Sequence, residues 1–193
     1  KKTKKVDFLY IPKFKDIYNN SKKSNIKIAK KDKVLCAKYR EGHFEGVLDV
    51  MEKLTNLVNP KKIFMGKKDY QQYFLIKNYL KNKYKTSIIP CKTIRNKNKI
   101  ALSSRNNHLD LNGIKKASFL SRSLIKLKRS LTKNKKIKQN LRIQMKYFEK
   151  FLKIKIEYLE LRSIKNLKIS NTVRDSRLFV AYYIDNVRLI DNF

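Results

Sequence analysis

Tryptophan is absent from this 193-residue chain, and glycine (4), proline (3) and cysteine (2) are scarce. So little Gly and Pro excludes collagen-like repeats and linker-like compositions. Acids are few as well, with 15 Asp and Glu against 49 Lys and Arg, for a formal charge of +34. No apolar run approaches the roughly 18–20 residues needed to cross a bilayer, so no membrane role is expected. The two cysteines, Cys36 and Cys91, lie far apart, with no Cys-x-x-Cys and no His cluster. They read as buried thiols of a cytoplasmic protein, not as a disulfide or zinc site. The opening KKTKKVDFLYIPKF has neither a long apolar core nor a small-residue cleavage site, which argues against a secretory leader. It reads as a charged helix end running into a strand at residues 6–10, and a chain that opens in mid-element suggests a fragment.

Hydrophobic residues still supply 41% of the chain, enough for a real core and too many for a disordered basic tail. The charge invites a nucleic-acid reading, yet 39 of the 49 bases are Lys and only 10 are Arg. Arg is the side chain that forks onto phosphate and guanine, so groove readers favour it. Lys, Ile and Asn together fill 77 of the 193 positions, and all three belong to A/T-rich codons. Genome composition therefore accounts for the charge better than a nucleic-acid function does, although +34 attracts polyanions at low salt in any case.

The first half alternates strand and helix signals. After the run at residues 6–10, Val47, Val50, Met51, Leu54, Leu57 and Val58 recur at helical spacing, predicting a helix over residues 45–58 stopped by Asn59-Pro60. Ile63, Phe64 and Met65 form a strand-length run ending at Gly66. Asp69 is a candidate N-cap for a helix carrying Tyr73, Ile76 and Leu80, and residues 87–89 give another strand. This order implies βαβ units and a parallel sheet. In the second half, Ile114, Ala117, Leu120, Leu124, Leu127 and Leu131 line one helix, and Ile137, Leu141, Met145, Phe148 and Leu152 line another. Residues 115–155 hold 15 bases and one acid, Glu149. Strand runs at 156–161, 178–184 and 187–190 follow, the last two joined by the hairpin pair Asp185-Asn186. The fold class is α/β, a parallel sheet over residues 1–92 followed by a small α+β domain over 93–193, with the boundary near Thr93.

Three segments carry chemistry. Gly66, Lys67, Lys68 and Asp69 sit where a strand ends and a helix begins, the edge at which parallel sheets bind ligands. A glycine, free helix N–H groups and Lys68 suit an anion there, and Gln72 follows Lys68 at i+4 and can face the same pocket. A turn with solvated lysines fits the same residues. Leu102, Ser103, Ser104 and Arg105 place two hydroxyls and a guanidinium in succession, a phosphate clamp or ordinary turn chemistry. His43 lies between Gly42 and Gly46, whose small size permits tight packing. It is either a substrate contact or a satisfied structural residue, and His108 reads as inert.

In this order, GHFEGV, NLVNPKKIFMGKKDYQQ, IALSSRN and VRLIDN resemble the pantothenate synthetase (pantoate–β-alanine ligase) family of the nucleotidyltransferase-like Rossmann superfamily. The resemblance covers essentially the whole chain. It implies that Mg-ATP activates pantoate as pantoyl adenylate with loss of pyrophosphate, and that β-alanine then attacks to give pantothenate and AMP. Position by position it implies ATP contacts at Gly66, Lys67, Lys68, Asp69, Ile94, Leu102, Ser103, Ser104 and Arg105. Lys68 would be the catalytic cation, Gln72 would hold pantoate, and the protein would be a cytoplasmic homodimer with no resident metal. The family's opening strand, with a His-x-Gly-His loop and a second pantoate-binding Gln, has no counterpart here, so the chain is expected to be N-terminally truncated and inactive without that segment. The family's usual Asp-Gly before Leu-Ser-Ser-Arg is here Asn98-Lys99. A basic RNA-associated protein and another adenylating ligase of the same superfamily are the rival readings.

Overall fold

The chain is described by a computed structural model that covers residues 6–18, 25–131 and 136–193. Its first half begins with two short helices, α1 (Phe14–Tyr18) and α2 (Cys36–Tyr39), and continues through α3 (His43–Val58), β1 (Lys62–Gly66), α4 (Tyr70–Lys81) and β2 (Ser87–Cys91). Helix α3 starts two residues earlier than its apolar spacing predicts, because the turn before it already supplies helical geometry. It stops at Asn59, which takes the left-handed conformation and returns its N–H to the Thr55 carbonyl ahead of Pro60. Strands β1 and β2 pair in parallel, Ile63 beside Ile88 and Gly66 beside Cys91, with α4 as the crossover. Tyr73, Ile76 and Leu80 are buried along α4 as their spacing requires.

Three local expectations are corrected. Residues 6–10 form no strand, and Phe8 is 93% exposed. No described strand lies beside them, and β-prone side chains gain little without a neighbour to pack on. Asp69 occupies the N-cap position of α4 but its side chain makes no capping bond, because a 3-10 turn (Lys67–Asp69) runs directly into the helix. Cys91 is exposed at the end of β2, where the alternation of the strand turns its side chain outward. Only Cys36 is buried, and both thiols are free.

The second half contains α5 (Leu111–Ser130) and α6 (Ile137–Leu152), then an antiparallel sheet of β3 (Lys155–Ser163), β4 (Ser176–Ile184) and β5 (Val187–Asn192) in the order β3-β4-β5. Asp110 caps α5 by accepting the Gly113 N–H at 2.6 Å. Asp185 (φ 50°) closes the expected hairpin between β4 and β5.

The central strand β4 is apolar nearly throughout, and its two faces serve different cores. Leu178, Val180, Tyr182 and Ile184 join the cluster built by α5 and α6. Phe179 and Ala181 join a second cluster with Phe44, Leu48, Tyr70, Ile76 and Leu80 from the first half. The antiparallel sheet is therefore a layer covered on both sides, which brings the carboxyl edge of β1 against β5. No described helix is long and apolar enough to cross a membrane.

Candidate active site

The turn Arg40-Glu41-Gly42-His43 opens the site. The His43 N–H closes it on the Arg40 carbonyl at 3.3 Å, and Gly42 sits at φ 72°, which only glycine adopts without strain. A side chain at either Gly42 or Gly46 would meet nothing within 4 Å, so tight packing is not why glycine stands there. Conformation explains Gly42, and nothing in the structure explains Gly46. Across from this turn lies the 3-10 turn that follows β1. Lys68 stands 3.5 Å from Asp69, a loose pair that leaves the ammonium available to a ligand.

Two adjoining clefts meet at Lys68. One is lined by Arg40, His43, Lys68, Asp69 and Gln72, with Cys36, Tyr158 and the β5 residues Ile190, Asp191 and Asn192. The other is lined by Lys68, Ser103, Arg105 and Asn106, and shares Ile190 and Asp191 with the first. The i, i+4 pairing of Lys68 with Gln72 thus holds, although Lys68 lies in the 3-10 turn and not in α4. Arg105 donates to the Arg188 carbonyl at 3.1 Å, and its backbone N–H is accepted by Ser103 Oγ at 3.3 Å. Burial first, then the cations of Arg40, Arg105 and Arg188, lower the His43 imidazole below its usual range against the opposing Glu45. His43 is therefore a neutral donor or acceptor facing a cationic wall.

Other expected residues fall outside these clefts. Lys67 lines a separate groove with Tyr70, Lys77, Lys165 and Arg177. Gly66 is extended (φ −68°) with open space where a side chain would stand, so its backbone does not demand glycine but leaves room for a close approach. Ile94 and Leu102 are exposed neighbours, joined by the Leu102 N–H to the Ile94 carbonyl at 2.9 Å. Together they offer an apolar shelf at the neck of the loop that contains the Arg95–Ala101 bridge. Ser104 begins the short helix of residues 104–108. In that loop Lys99 adopts φ 67°, so the turn forms without a glycine. It is pinned from α5, where Ser118 holds the Asn98 carbonyl (2.9 Å) and Ser121 the Lys99 carbonyl (2.7 Å).

The residues that hold the site together escaped the sequence reading. Arg95 forks onto Asp191 at 2.6 and 2.8 Å and also reaches the Asn192 carbonyl at 3.2 Å. Asn192 is buried, and its amide NH2 donates to the carbonyls of both Lys67 (2.9 Å) and Lys68 (2.7 Å). Its Oδ1 accepts from Arg177 Nε. The Asp191-Asn192 pair at the end of β5 therefore ties the loop bearing Leu102 to the turn bearing Lys68. The VRLIDN motif is the only hint, and nothing in it names partners some 96 to 125 residues away.

A model of the family described as pantoate-beta-alanine ligase matches residues 1–193. The pantothenate synthetase of Sulfurihydrogenibium sp. (strain YO3AOP1) is 35% identical over 193 residues, covering 97% of this chain and 68% of that protein. That of Caldicellulosiruptor saccharolyticus is 33% identical over 196 residues, with the same coverage. Among solved structures, pantothenate synthetase from Thermus thermophilus superposes with a TM-score of 0.83 at 26% identity, over 98% of this chain and 70% of that one. The pantoate-beta-alanine ligase from Francisella tularensis, complexed with beta-gamma ATP and beta-alanine, gives 0.72 at 34% identity, over 93% and 61%. A sequence match along the whole chain, and a fold that gathers Lys68, Gln72, His43 and Arg105 at one place, agree: the chain belongs to the pantoate–β-alanine ligase family.

Proposed function

We infer that this chain catalyses the ATP-dependent joining of pantoate to β-alanine through a pantoyl adenylate. The observation that carries the assignment of roles is the pair of clefts that meet at Lys68, one bordered by Gln72 and His43, the other by Ser103 and Arg105. Gln72 holds pantoate so that its carboxylate oxygen faces the α-phosphate of ATP. As that oxygen attacks, the bond to pyrophosphate breaks, and Lys68 and Arg105 stabilise the charge that gathers on the phosphoryl oxygens. Ser103 and Ser104 present hydroxyls on the same side, Ile94 and Leu102 offer apolar surface to the nucleotide, and the open backbone at Gly66, Lys67 and Asp69 borders its phosphates.

Mg2+ arrives with the nucleotide as Mg-ATP. The described residues contain no group of three or more His, Cys, Asp or Glu side chains able to hold a metal, which suits an ion carried by the triphosphate. Residues 1–92 form the nucleotide- and pantoate-binding unit and residues 93–193 the lid, a division supported by the two apolar clusters. The mixed anhydride is shielded from water where these units close on each other. The exposed apolar side chains Phe8, Leu9 and Ile11 support a homodimer that covers them, and the two free thiols support a cytoplasmic setting.

The test is ATP–pyrophosphate exchange with the enzyme and a panel of small hydroxy acids. Pantoate should drive exchange far better than its homologues. Exchange driven equally by other acids would assign a different adenylating ligase.

A further inference from the structure

We propose that Arg40 is the anchor for the carboxylate of β-alanine, and that the same contact holds the carboxylate of the pantothenate product. The inference rests on the ligase reading above and adds a subsite to it. Among the cations around the two clefts, Lys68 is near Asp69, and Arg188 is locked to Glu157, which also accepts from Tyr183 at 3.2 Å. Arg105 is turned toward the Arg188 carbonyl and shares its cleft with Ser103. Arg40 lines the cleft of His43 and Gln72, is half-buried, and has no acidic partner among the described residues. A half-buried guanidinium without a counter-ion is an expensive arrangement that a carboxylate ligand relieves with a bidentate pair.

Two substrates carry a carboxylate, and the chemistry separates them. The pantoate carboxylate is the nucleophile of the first step, so a guanidinium fork would withdraw the charge it needs to attack phosphorus. The β-alanine carboxylate takes no part in bond making. In the second step its amine nitrogen forms the C–N bond to the pantoyl carbon. The C–O bond to AMP breaks with the electron pair leaving on AMP, and the nitrogen gives up a proton. The carboxylate passes unchanged into the product, and a permanent anion suits a permanent cation. The turn places His43 three residues beyond Arg40 on the same cleft, beside the path the amine must take.

The test compares the enzyme with Arg40→Gln and Arg40→Lys in two assays. Pantoate-dependent ATP–pyrophosphate exchange, which needs no β-alanine, should stay within about threefold of the parent. In the full reaction, KM for β-alanine should rise about tenfold to a hundredfold in Arg40→Gln, the scale of one charge-assisted contact, and less in Arg40→Lys. The preference for β-alanine over β-alaninamide should collapse in Arg40→Gln. This ratio is internal to each preparation, so partial misfolding cannot imitate its loss. An unchanged KM and an unchanged preference would overturn the proposal, as would exchange falling as far as the full reaction. A parent enzyme without pantoate-dependent exchange would overturn the ligase reading itself, and the Arg40 proposal with it.

Discussion

Replacing Asn192 by Asp exchanges a buried NH2 donor for an oxygen and keeps the other side-chain oxygen, which accepts from Arg177. The residue is only 2% exposed, and its two donated bonds, at 2.9 and 2.7 Å, hold consecutive carbonyls of the turn that aims Lys68. Each such bond contributes about 0.5–1.5 kcal/mol net, so losing both should lower stability by about 1–3 kcal/mol. The new oxygen also faces two carbonyl oxygens and repels them, which displaces the turn. A shift of about 1 Å in a positioning group costs about 10²-fold in rate, so adenylation should fall about a hundredfold. Urea unfolding followed by circular dichroism reads the first effect. Pantoate-dependent pyrophosphate exchange, measured well below the unfolding midpoint, reads the second. Exchange within threefold of the parent, with the urea midpoint lowered as expected, would refute the claim that Asn192 positions the catalytic turn and leave it a purely structural bond.

Lys68→Ala should cut pyrophosphate exchange by about 10²–10³-fold with little change in unfolding, the scale for one cation lost from a charged transition state. Gln72→Ala should raise KM for pantoate at least ten times more than KM for ATP, on the order expected when one substrate loses its contact, and steady-state kinetics with each substrate varied separates the two. The depressed His43 pKa makes its neutral form a native-state requirement, so its contribution to stability is complete above the unfolded value of about 6.5 and is lost as pH falls toward the lower native value. Thermal melts of His43→Gln between pH 5 and 7.5 should show a shallower acid-side decline than the parent, and equal slopes would remove His43 as the cause. Reversing the exposed Lys115, Lys126, Lys138 and Lys146 to Glu should abolish salt-sensitive polyanion binding while turnover stays within about twofold. Loss of turnover in a folded variant would give that surface a catalytic role.

Where a segment's own periodicity decided its conformation, the sequence was legible. Helices α3 to α6 and strands β3 to β5 announce themselves by apolar spacing and turn residues, and the run Ile63-Phe64-Met65 ends as expected at the turn that carries Lys68. The site was legible only in part. Lys68, Gln72, Ser103 and Arg105 could be named from local motifs because their chemistry is visible in the residue types. The ties that bring them together run from Arg95 to Asp191 and from Asn192 to Lys67 and Lys68, and no local pattern encodes contacts at such separations. Residues 6–10 show the opposite error, a strand-like composition without a neighbour to make it a strand. At Arg40 the residue type was plain, but its lack of an acidic partner is a property of the fold.

The turn at Asn98-Lys99 shows where tolerance to mutation should reside. Lys99 is held in a conformation that favours glycine, and the constraint comes from Ser118 and Ser121 on α5, which grip the carbonyls of Asn98 and Lys99. Backbone carbonyls are the same whatever side chain follows them. The specification of this loop has thus migrated out of the loop and onto a helix, and its own residues are released to drift with the codon bias of the genome. In comparisons across species, variation at positions 98 and 99 should be silent so long as a hydroxyl remains at 118 or 121. A change at either serine should be accompanied by the return of glycine at 99.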